Sequence, residues 1–133
     1  MLKVLVFMPV LGALAVAGLP VRRAVWLWRL AMLFALAALG YSFWLAAGFD
    51  PAGPAIQFHE SRPWNVRLGS YFALGIDGIA LAMVLLTALL TLIAVLVSRR
   101  MEDGARLYFT LVLLLESAMF GVFTARDWSL FYV

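Results

Sequence analysis

Residues 107–125 read LYFTLVLLLESAMFGVFTA, a largely apolar run that carries one acid, Glu116, near its middle. The run has about the length that an α-helix needs to cross the hydrocarbon of a bilayer, which is roughly 20 residues. A carboxylate at that depth costs at least a few kcal/mol. Glu116 is therefore expected to be protonated, to be paired inside a larger assembly, or to lie on a path for protons or ions.

Three more apolar runs precede this one, at residues 4–19, 30–49 and 79–97. The chain is 66% hydrophobic and 13% charged, whereas an ordinary soluble domain is about half apolar and about a quarter charged. The runs are apolar on every side, so they predict helices and not the alternating strands of a membrane barrel. The sequence predicts an all-α membrane protein, a single transmembrane domain over residues 1–133, with four transmembrane helices at about residues 2–19, 24–49, 77–98 and 106–125. Residues 127–133 predict the start of a fifth helix, and their abrupt end predicts a truncated chain.

Arginines mark two of the connections between these runs. Arg22, Arg23 and Arg29 flank the first connection, and Arg99, Arg100 and Arg106 flank the second. Because basic residues concentrate in cytoplasmic loops, both connections are predicted to lie inside. The loop at residues 50–76 and the N-terminus are then predicted to lie outside.

The predicted outer loop, residues 50–76, contains too much proline and glycine to continue as a helix. Apolar and polar residues alternate along it, which predicts a short hairpin on the outer surface. The loop holds the one histidine of the chain, His59, beside Glu60. His59 could be a ligand or a proton donor, but a single histidine with no second ligand at metal spacing favours an ordinary loop residue.

Asp77 directly precedes the third apolar run and has glycines on both sides, at positions 75 and 78. As an N-cap, its carboxylate would accept hydrogen bonds from the N–H groups of the first turn and would meet the positive end of the helix dipole. A cation site would need more oxygen ligands than one aspartate supplies. The sequence therefore favours a helix-entry cap at Asp77.

Small residues lie beside Glu116, since Ser117, Gly121 and Ala125 recur every four residues and let another helix approach closely. Glu116 is then either a structural acid, protonated and hydrogen-bonded to a neighbouring helix, or a proton-carrying site. The sequence contains no nucleophile triad, phosphate loop, dinucleotide fingerprint or metal cluster. It also has no cysteine that could hold an iron–sulfur cluster or zinc. We therefore predict no catalytic, cofactor-binding or metal-binding residue in this chain.

Three segments together resemble a known family. They are LGIDGIAL at residues 74–81, LLTALLT at residues 85–91, and LLLESAMFGVFTARDWSLFYV at residues 113–133. In this order and spacing they are similar to the N-terminal part of NADH-quinone oxidoreductase subunit M, an antiporter-like, proton-pumping membrane subunit of respiratory complex I. The likeness covers the whole chain loosely and residues 68–133 closely.

The resemblance implies a bundle of about fourteen helices that starts outside, in a multi-pass protein of the bacterial inner membrane. It implies a subunit of a translocase that couples electron transfer from NADH to quinone with proton translocation, with FMN, iron–sulfur clusters and quinone in other subunits. The implied partners are the lipid bilayer and other membrane subunits of complex I, and not nucleic acid. The family's essential glutamate and lysines would lie beyond Val133, so the chain is expected to be an N-terminal piece. Glu116 matches a position that is often acidic in subunit M, and a modest effect on nearby protons is expected of it.

Two other interpretations remain open. Subunits of sodium/proton antiporters and of membrane-bound hydrogenases share the bundle and are the nearest relatives that could be confused with it. The chain could also be a complete small membrane protein that acts as an assembly subunit, which would explain why no lysine lies at membrane depth.

Overall fold

The computed structural model describes residues 1–20, 23–65 and 70–126, and the side chains of residues 60–65 and 70–72 are left aside. Four α-helices and one β-hairpin make up this part of the chain. In chain order they are α1 (Leu2–Gly18), α2 (Ala24–Ala47), β1 (Gln57–Asn65), β2 (Ser70–Ile76), α3 (Gly78–Val97) and α4 (Ala105–Thr124). A single 3₁₀ turn, Ser98–Arg100, follows α3. The predicted start of a fifth helix, at residues 127–133, lies outside the described residues.

Within the described residues, three helices are long and apolar enough to cross a membrane, at Ala24–Ala47, Gly78–Arg100 and Ala105–Thr124. The first helix, Leu2–Gly18, is also apolar but shorter, at 17 residues. Large apolar side chains cover the outside of the bundle: Leu33 is 62% exposed and Leu115 is 61% exposed. A soluble monomer rarely exposes such a continuous apolar surface, whereas lipid requires it. The chain is a mostly helical, multi-pass membrane protein.

The buried residues form two clusters at opposite ends of the bundle. The cluster near the β-hairpin, here the hairpin-end cluster, is built on Leu2, Leu5, Ala38, Leu45, Leu74, Ile76, Ala80, Leu81, Val84, Ala88 and Phe120. The cluster near the two arginine-bearing connections, here the arginine-end cluster, is built on Ala13, Val16, Leu27, Ala31, Ala35, Val95, Ala105, Phe109 and Leu113. The two clusters define the two ends of the bundle, so the position of a residue along a helix can be given relative to them.

The segment between α2 and α3 forms an antiparallel hairpin of β1 with β2. The hairpin predicted from the alternating pattern is therefore confirmed, and the fold is mostly helical, not helical throughout. The pairing is irregular between Gln57 and Glu60, where the ladder shifts register. Phe58 lies at this irregularity with a positive φ of 54°, a conformation that a bulky residue rarely adopts. Its ring packs against the hairpin-end cluster, which offsets part of that strain.

The first two helices approach each other closely at Gly12. A Cβ atom added there would lie 2.6 Å from Cγ and 2.9 Å from Cβ of Phe34 on α2. The backbone of α2 holds Cβ of Phe34 in place, so a rotamer change of Phe34 cannot relieve both contacts. Gly12 is buried, whereas Gly40 on α2 has no atom within 4 Å of the same added position. Close contact between α1 and α2 therefore depends on the absence of a side chain at Gly12.

We expect Gly12→Ala to lower the free energy of unfolding by about 1–3 kcal/mol, because overpacking a tight contact costs that much. The measurement is unfolding of the full-length protein in detergent micelles. Gly40→Ala is the matched control, and it is expected to be neutral or slightly stabilising since alanine is the better helix former. Equal stability of the two variants would contradict the close approach described here.

Candidate functional site in the fourth helix

Glu116 lies in the middle of α4, between Leu113 of the arginine-end cluster and Phe120 of the hairpin-end cluster. Its side chain is fully buried, with 0% exposure. Neither carboxyl oxygen has a hydrogen-bond partner in the described part of the chain. An ionised carboxylate without a partner is costly to bury. No cation pairs with Glu116 within the described residues. Protonation, a partner from beyond these residues, and a place on a path for protons or ions remain as predictions.

The neighbouring residue, Ser117, joins α4 to α1. Its hydroxyl donates a 2.6 Å hydrogen bond to the carbonyl oxygen of Val6. Val6 lies in the turn before Pro9, which has no N–H to donate to the carbonyl of Leu5 and whose ring disturbs that turn. In membrane helices, a hydroxyl from a neighbouring helix can form a hydrogen bond with backbone carbonyl groups near such a proline.

Gly121, one turn after Ser117, faces the same part of α1. A Cβ atom added at Gly121 would lie 3.9 Å from Cγ1 of Val6. Two residues of the predicted small-residue stripe, Ser117 and Gly121, therefore lie against α1. The third, Ala125, comes just after the end of α4 and pairs with Leu74 of β2 in an isolated β-bridge. The α1–α4 contact holds Glu116 at a fixed depth inside the bundle.

Asp77 lies at the N-cap of α3 and forms two interactions with different oxygens. Oδ1 accepts a 2.7 Å hydrogen bond from the backbone N–H of Ala80, and Oδ2 accepts a 2.8 Å hydrogen bond from Nη2 of Arg126. The pair is partly solvated, with 37% of the Asp77 side chain exposed. The hydrogen bond from Ala80 and then the guanidinium of Arg126 lower the pKa of the Asp77 carboxyl below its ordinary value of 3.8.

Arg126 also connects the end of α4 to β2. Its backbone N–H donates to the carbonyl oxygen of Ala73 at 2.9 Å, and Nε donates to the carbonyl oxygen of Gly75 at 3.4 Å. Gly75 leaves the necessary room, because a Cβ atom there would lie 2.8 Å from Cγ2 of Ile56 and 3.3 Å from Cγ of Arg126. The cation also lies just beyond the C-terminus of α4, where the helix dipole favours positive charge.

The sequence predicted a helix cap at Asp77 but did not predict its contact with Arg126. A signal for it was present: Asp77 begins α3 and Arg126 follows α4, and a short connection makes these helices an antiparallel pair. Residues at the start of one such helix and at the end of the other must lie at the same end of the bundle. Opposite charges at those two positions indicate a salt bridge.

His59 lies on β1 and is exposed. Among the described residues, no group of three or more His, Cys, Asp or Glu side chains is arranged to hold a metal ion. Glu60, its neighbour in sequence, falls among the side chains that are left aside. Within the described part of the chain, His59, Asp77 and Glu116 therefore do not form such a group.

Comparison with known proteins gives a consistent group of relatives. The chain is 41% identical to NADH-quinone oxidoreductase subunit M of Rhodobacter capsulatus over 92 residues, which are 69% of this chain and 18% of that protein. It is 34% identical to NAD(P)H-quinone oxidoreductase chain 4 1 of Synechococcus sp. (strain JA-2-3B'a(2-13)) over 133 residues, which are 99% of this chain and 25% of that protein.

The chain belongs to the subunit M/chain 4 family. It is also similar in structure to a chain of respiratory complex I from Thermus thermophilus with bound NADH, with a TM-score of 0.79 and 30% identity over 99% of this chain and 26% of that chain. No family model matches the chain. The chain spans about a quarter or less of the length of the two curated relatives. Asp77 and Arg126, which lie in two of the three segments that carried the family resemblance, are brought into contact by the fold.

We expect the Asp77–Arg126 pair to contribute about 0.2–1 kcal/mol to stability, the usual range for a partly solvated ion pair. A double-mutant cycle with Asp77→Asn and Arg126→Gln in the full-length protein measures this energy. Asparagine keeps an oxygen for the cap, so the cycle isolates the charge pair. Additive effects of the two substitutions would mean that the pair contributes nothing.

The same pair predicts a pH dependence. Because the pKa of Asp77 is lower in the folded chain than its ordinary value of 3.8, its contribution is fully present above about pH 4 and is lost as the pH falls through the lowered pKa. The stability difference between the native protein and Asp77→Asn should therefore shrink below about pH 4. A stability difference that stays constant from about pH 7 to about pH 2 would contradict the lowered pKa of Asp77.

Proposed function

We propose that this chain is part of a membrane-arm subunit of a proton-translocating NADH:quinone oxidoreductase. One observation carries the proposal: nearly the whole chain superimposes on a chain of complex I, with a TM-score of 0.79 at 30% identity. Membership of the subunit M/chain 4 family supports the same function. The chain has no cysteine, so its residues do not fit the iron–sulfur clusters of such an enzyme. The redox groups, FMN, iron–sulfur clusters and quinone, are assigned to other subunits.

We further propose that four transmembrane helices and the start of a fifth belong to a bundle of about fourteen helices in a single transmembrane domain. The N-terminus is proposed to lie outside, in a bacterial inner membrane. Exposed arginines at one end of the described bundle, including Arg23, Arg99 and Arg100, support this orientation, because basic residues concentrate on the cytoplasmic side. The N-terminus lies at the opposite end, where Met1 accepts a hydrogen bond from the hydroxyl of Tyr41 through its carbonyl oxygen.

Glu116 is the candidate proton site of this chain. It is fully buried, and no described residue donates to its oxygens. Within α1 to α4, the other Asp, Glu, Lys, Arg or His side chains are Lys3, Arg29 and Arg106, all within the first two turns of a helix. A proton relay needs a second ionisable group at depth, so it would have to continue into residues beyond those described. A charge that appears on such a neighbour changes the proton affinity of Glu116, which is the physical basis of coupling.

Deletion of the gene and complementation with the full-length copy tests the proposed function. Inverted membrane vesicles are energised with NADH and proton uptake is followed by quenching of a pH-sensitive dye. We expect proton uptake to be lost on deletion and restored by complementation. Loss of sodium/proton exchange with intact NADH-driven uptake would indicate an antiporter subunit, and loss of hydrogen-dependent pumping would indicate a hydrogenase subunit. If deletion lowers the amount of assembled complex, while the complex that does assemble still takes up protons normally, the chain would be an assembly subunit.

We expect Glu116→Gln in the full-length protein to leave assembly intact and to lower proton translocation only partly. Glutamine has nearly the same shape, so packing between Leu113 and Phe120 is kept while the exchangeable proton is lost. The readout is the ratio of proton uptake to NADH oxidation in the same vesicles. Complete loss of pumping with normal assembly would contradict a modest role and make Glu116 an essential carrier.

Ser117→Ala is the control for packing. It removes the hydrogen bond to the carbonyl oxygen of Val6 and keeps the carboxyl group next to it. It should lower thermal stability and leave the pumping ratio unchanged. If both variants lower the ratio equally, the effect comes from the α1–α4 contact and not from the carboxyl group.

A further inference from the structure

The two arginine-bearing connections meet at one end of the bundle, here called the arginine end. The indole N–H of Trp28 on α2 donates a 2.9 Å hydrogen bond to the carbonyl oxygen of Val95 on α3. Nη1 of Arg106 on α4 donates to the carbonyl oxygen of Ala17 on α1 at 3.2 Å. These contacts fix the end of α1 and the start of α2 beside the end of α3 and the start of α4.

A cavity of about 710 Å³ lies between these connections. Three arginines, Arg23, Arg99 and Arg100, line it together with a single acid, Glu102. All three arginines are exposed, and none of them forms a salt bridge with an acid among the described residues. The cavity therefore has an excess of positive charge and unused N–H donors, and its volume lies within the range of small-molecule sites, roughly 300–1,000 Å³.

Arg99 is held in place by its surroundings. Its guanidinium lies over the ring of Trp28, 5.4 Å from the ring centroid, and the same indole is fixed by its hydrogen bond to Val95. A guanidinium held over an aromatic ring retains N–H groups at its edge for a phosphate. The site is thus partly preorganised in the absence of any ligand.

An apolar groove lies on the same end of α2. It has a volume of about 400 Å³ and is lined by Leu19, Trp26, Leu27, Leu30 and Leu33, with Arg29 at its edge. The guanidinium of Arg29 lies 5.1 Å from the centroid of the Trp26 ring. A charged cavity beside an apolar groove at the end of membrane helices fits one chemical class, a molecule with an anionic head and an apolar chain.

We infer that the cavity lined by Arg23, Arg99 and Arg100 binds the phosphodiester headgroup of an anionic phospholipid, whose acyl chain lies along the apolar face of α2. Guanidinium groups bind phosphate oxygens through paired N–H donors. Basic pockets between membrane helices bind anionic headgroups in this way. The inference requires only that the chain lies in a membrane and is independent of the pumping function proposed above.

The test uses the full-length protein in its native complex, with the photoreactive residue benzoylphenylalanine in place of Val25, an exposed residue that lines the cavity. The complex is placed in nanodiscs of equal parts phosphatidylglycerol and phosphatidylcholine with identical chains. After illumination, mass spectrometry gives the ratio of the two lipid adducts. The same residue at Leu115, an exposed position in the middle of α4 and away from the arginines, reports the reference ratio.

We expect the phosphatidylglycerol adduct to be enriched at least about fivefold at position 25 relative to position 115, since a single arginine near the surface contributes about a factor of five. The double substitution Arg99→Gln and Arg100→Gln should remove this enrichment. Lys3→Gln, at the other end of the bundle, should leave it unchanged. Equal ratios at the two positions in the otherwise native protein would overturn the inference, and this comparison needs no arginine variant.

Two further outcomes would also overturn it. Enrichment that survives the double substitution would mean that the arginines do not hold the headgroup. Enrichment abolished equally by chloride and by phosphate at the same ionic strength would mean that diffuse attraction by the positive charge, and not a bound headgroup, gathers the anionic lipid. Persistence of the enrichment in phosphate supports the phospholipid as the occupant.

Discussion

The carboxylate of Asp77 is the point at which three elements of this fold are joined. One oxygen closes the first turn of α3 and the other binds Arg126, whose backbone and side chain bond to carbonyl groups of β2. Neither end of an α-helix can satisfy its own terminal backbone groups. At a membrane surface, water can form hydrogen bonds with these groups only where they are exposed. Here, one acid and one arginine satisfy backbone groups of α3 and β2 and connect them to the residues that follow α4. The depth of α4 in the bundle, and with it the depth of Glu116, depends on this junction.

The second fixed point of α4 is its contact with α1. Ser117 and Gly121 allow α1 to approach because they are small, and the hydroxyl of Ser117 adds a hydrogen bond in a region where apolar burial alone gives little preference for one neighbour over another. Glu116 lies directly beside this contact and has no partner among the described residues. A buried acid without a local partner would destabilise a structure whose only task was packing. In the function proposed above, the acid would instead respond to charges on residues beyond those described.

The helices and the hairpin could be predicted from the sequence, but most of the contacts between them could not. A membrane helix can be predicted from its own residues, because lipid requires only apolar length and internal hydrogen bonds. The hairpin could be predicted from its period of two. The Asp77–Arg126 pair and the close approach of Gly12 to Phe34 were missed, since both depend on which faces of helices distant in sequence meet. Apolar runs that are apolar on every side carry no face pattern, so their packing partners are not encoded in a readable period.

The arginine end connects topology to lipid recognition. Arginines at cytoplasmic loops are usually explained by membrane insertion alone, an explanation that needs their charge but no particular geometry. Here Arg99 stacks on a tryptophan that is itself hydrogen-bonded to α3, and it lines a cavity together with an arginine from the other connection. Insertion does not require two connections to place their charges around one space. An anionic headgroup in that space would join both connections, and because a lipid is replaced from the surrounding bilayer, the strength of this junction would follow the lipid composition of the membrane.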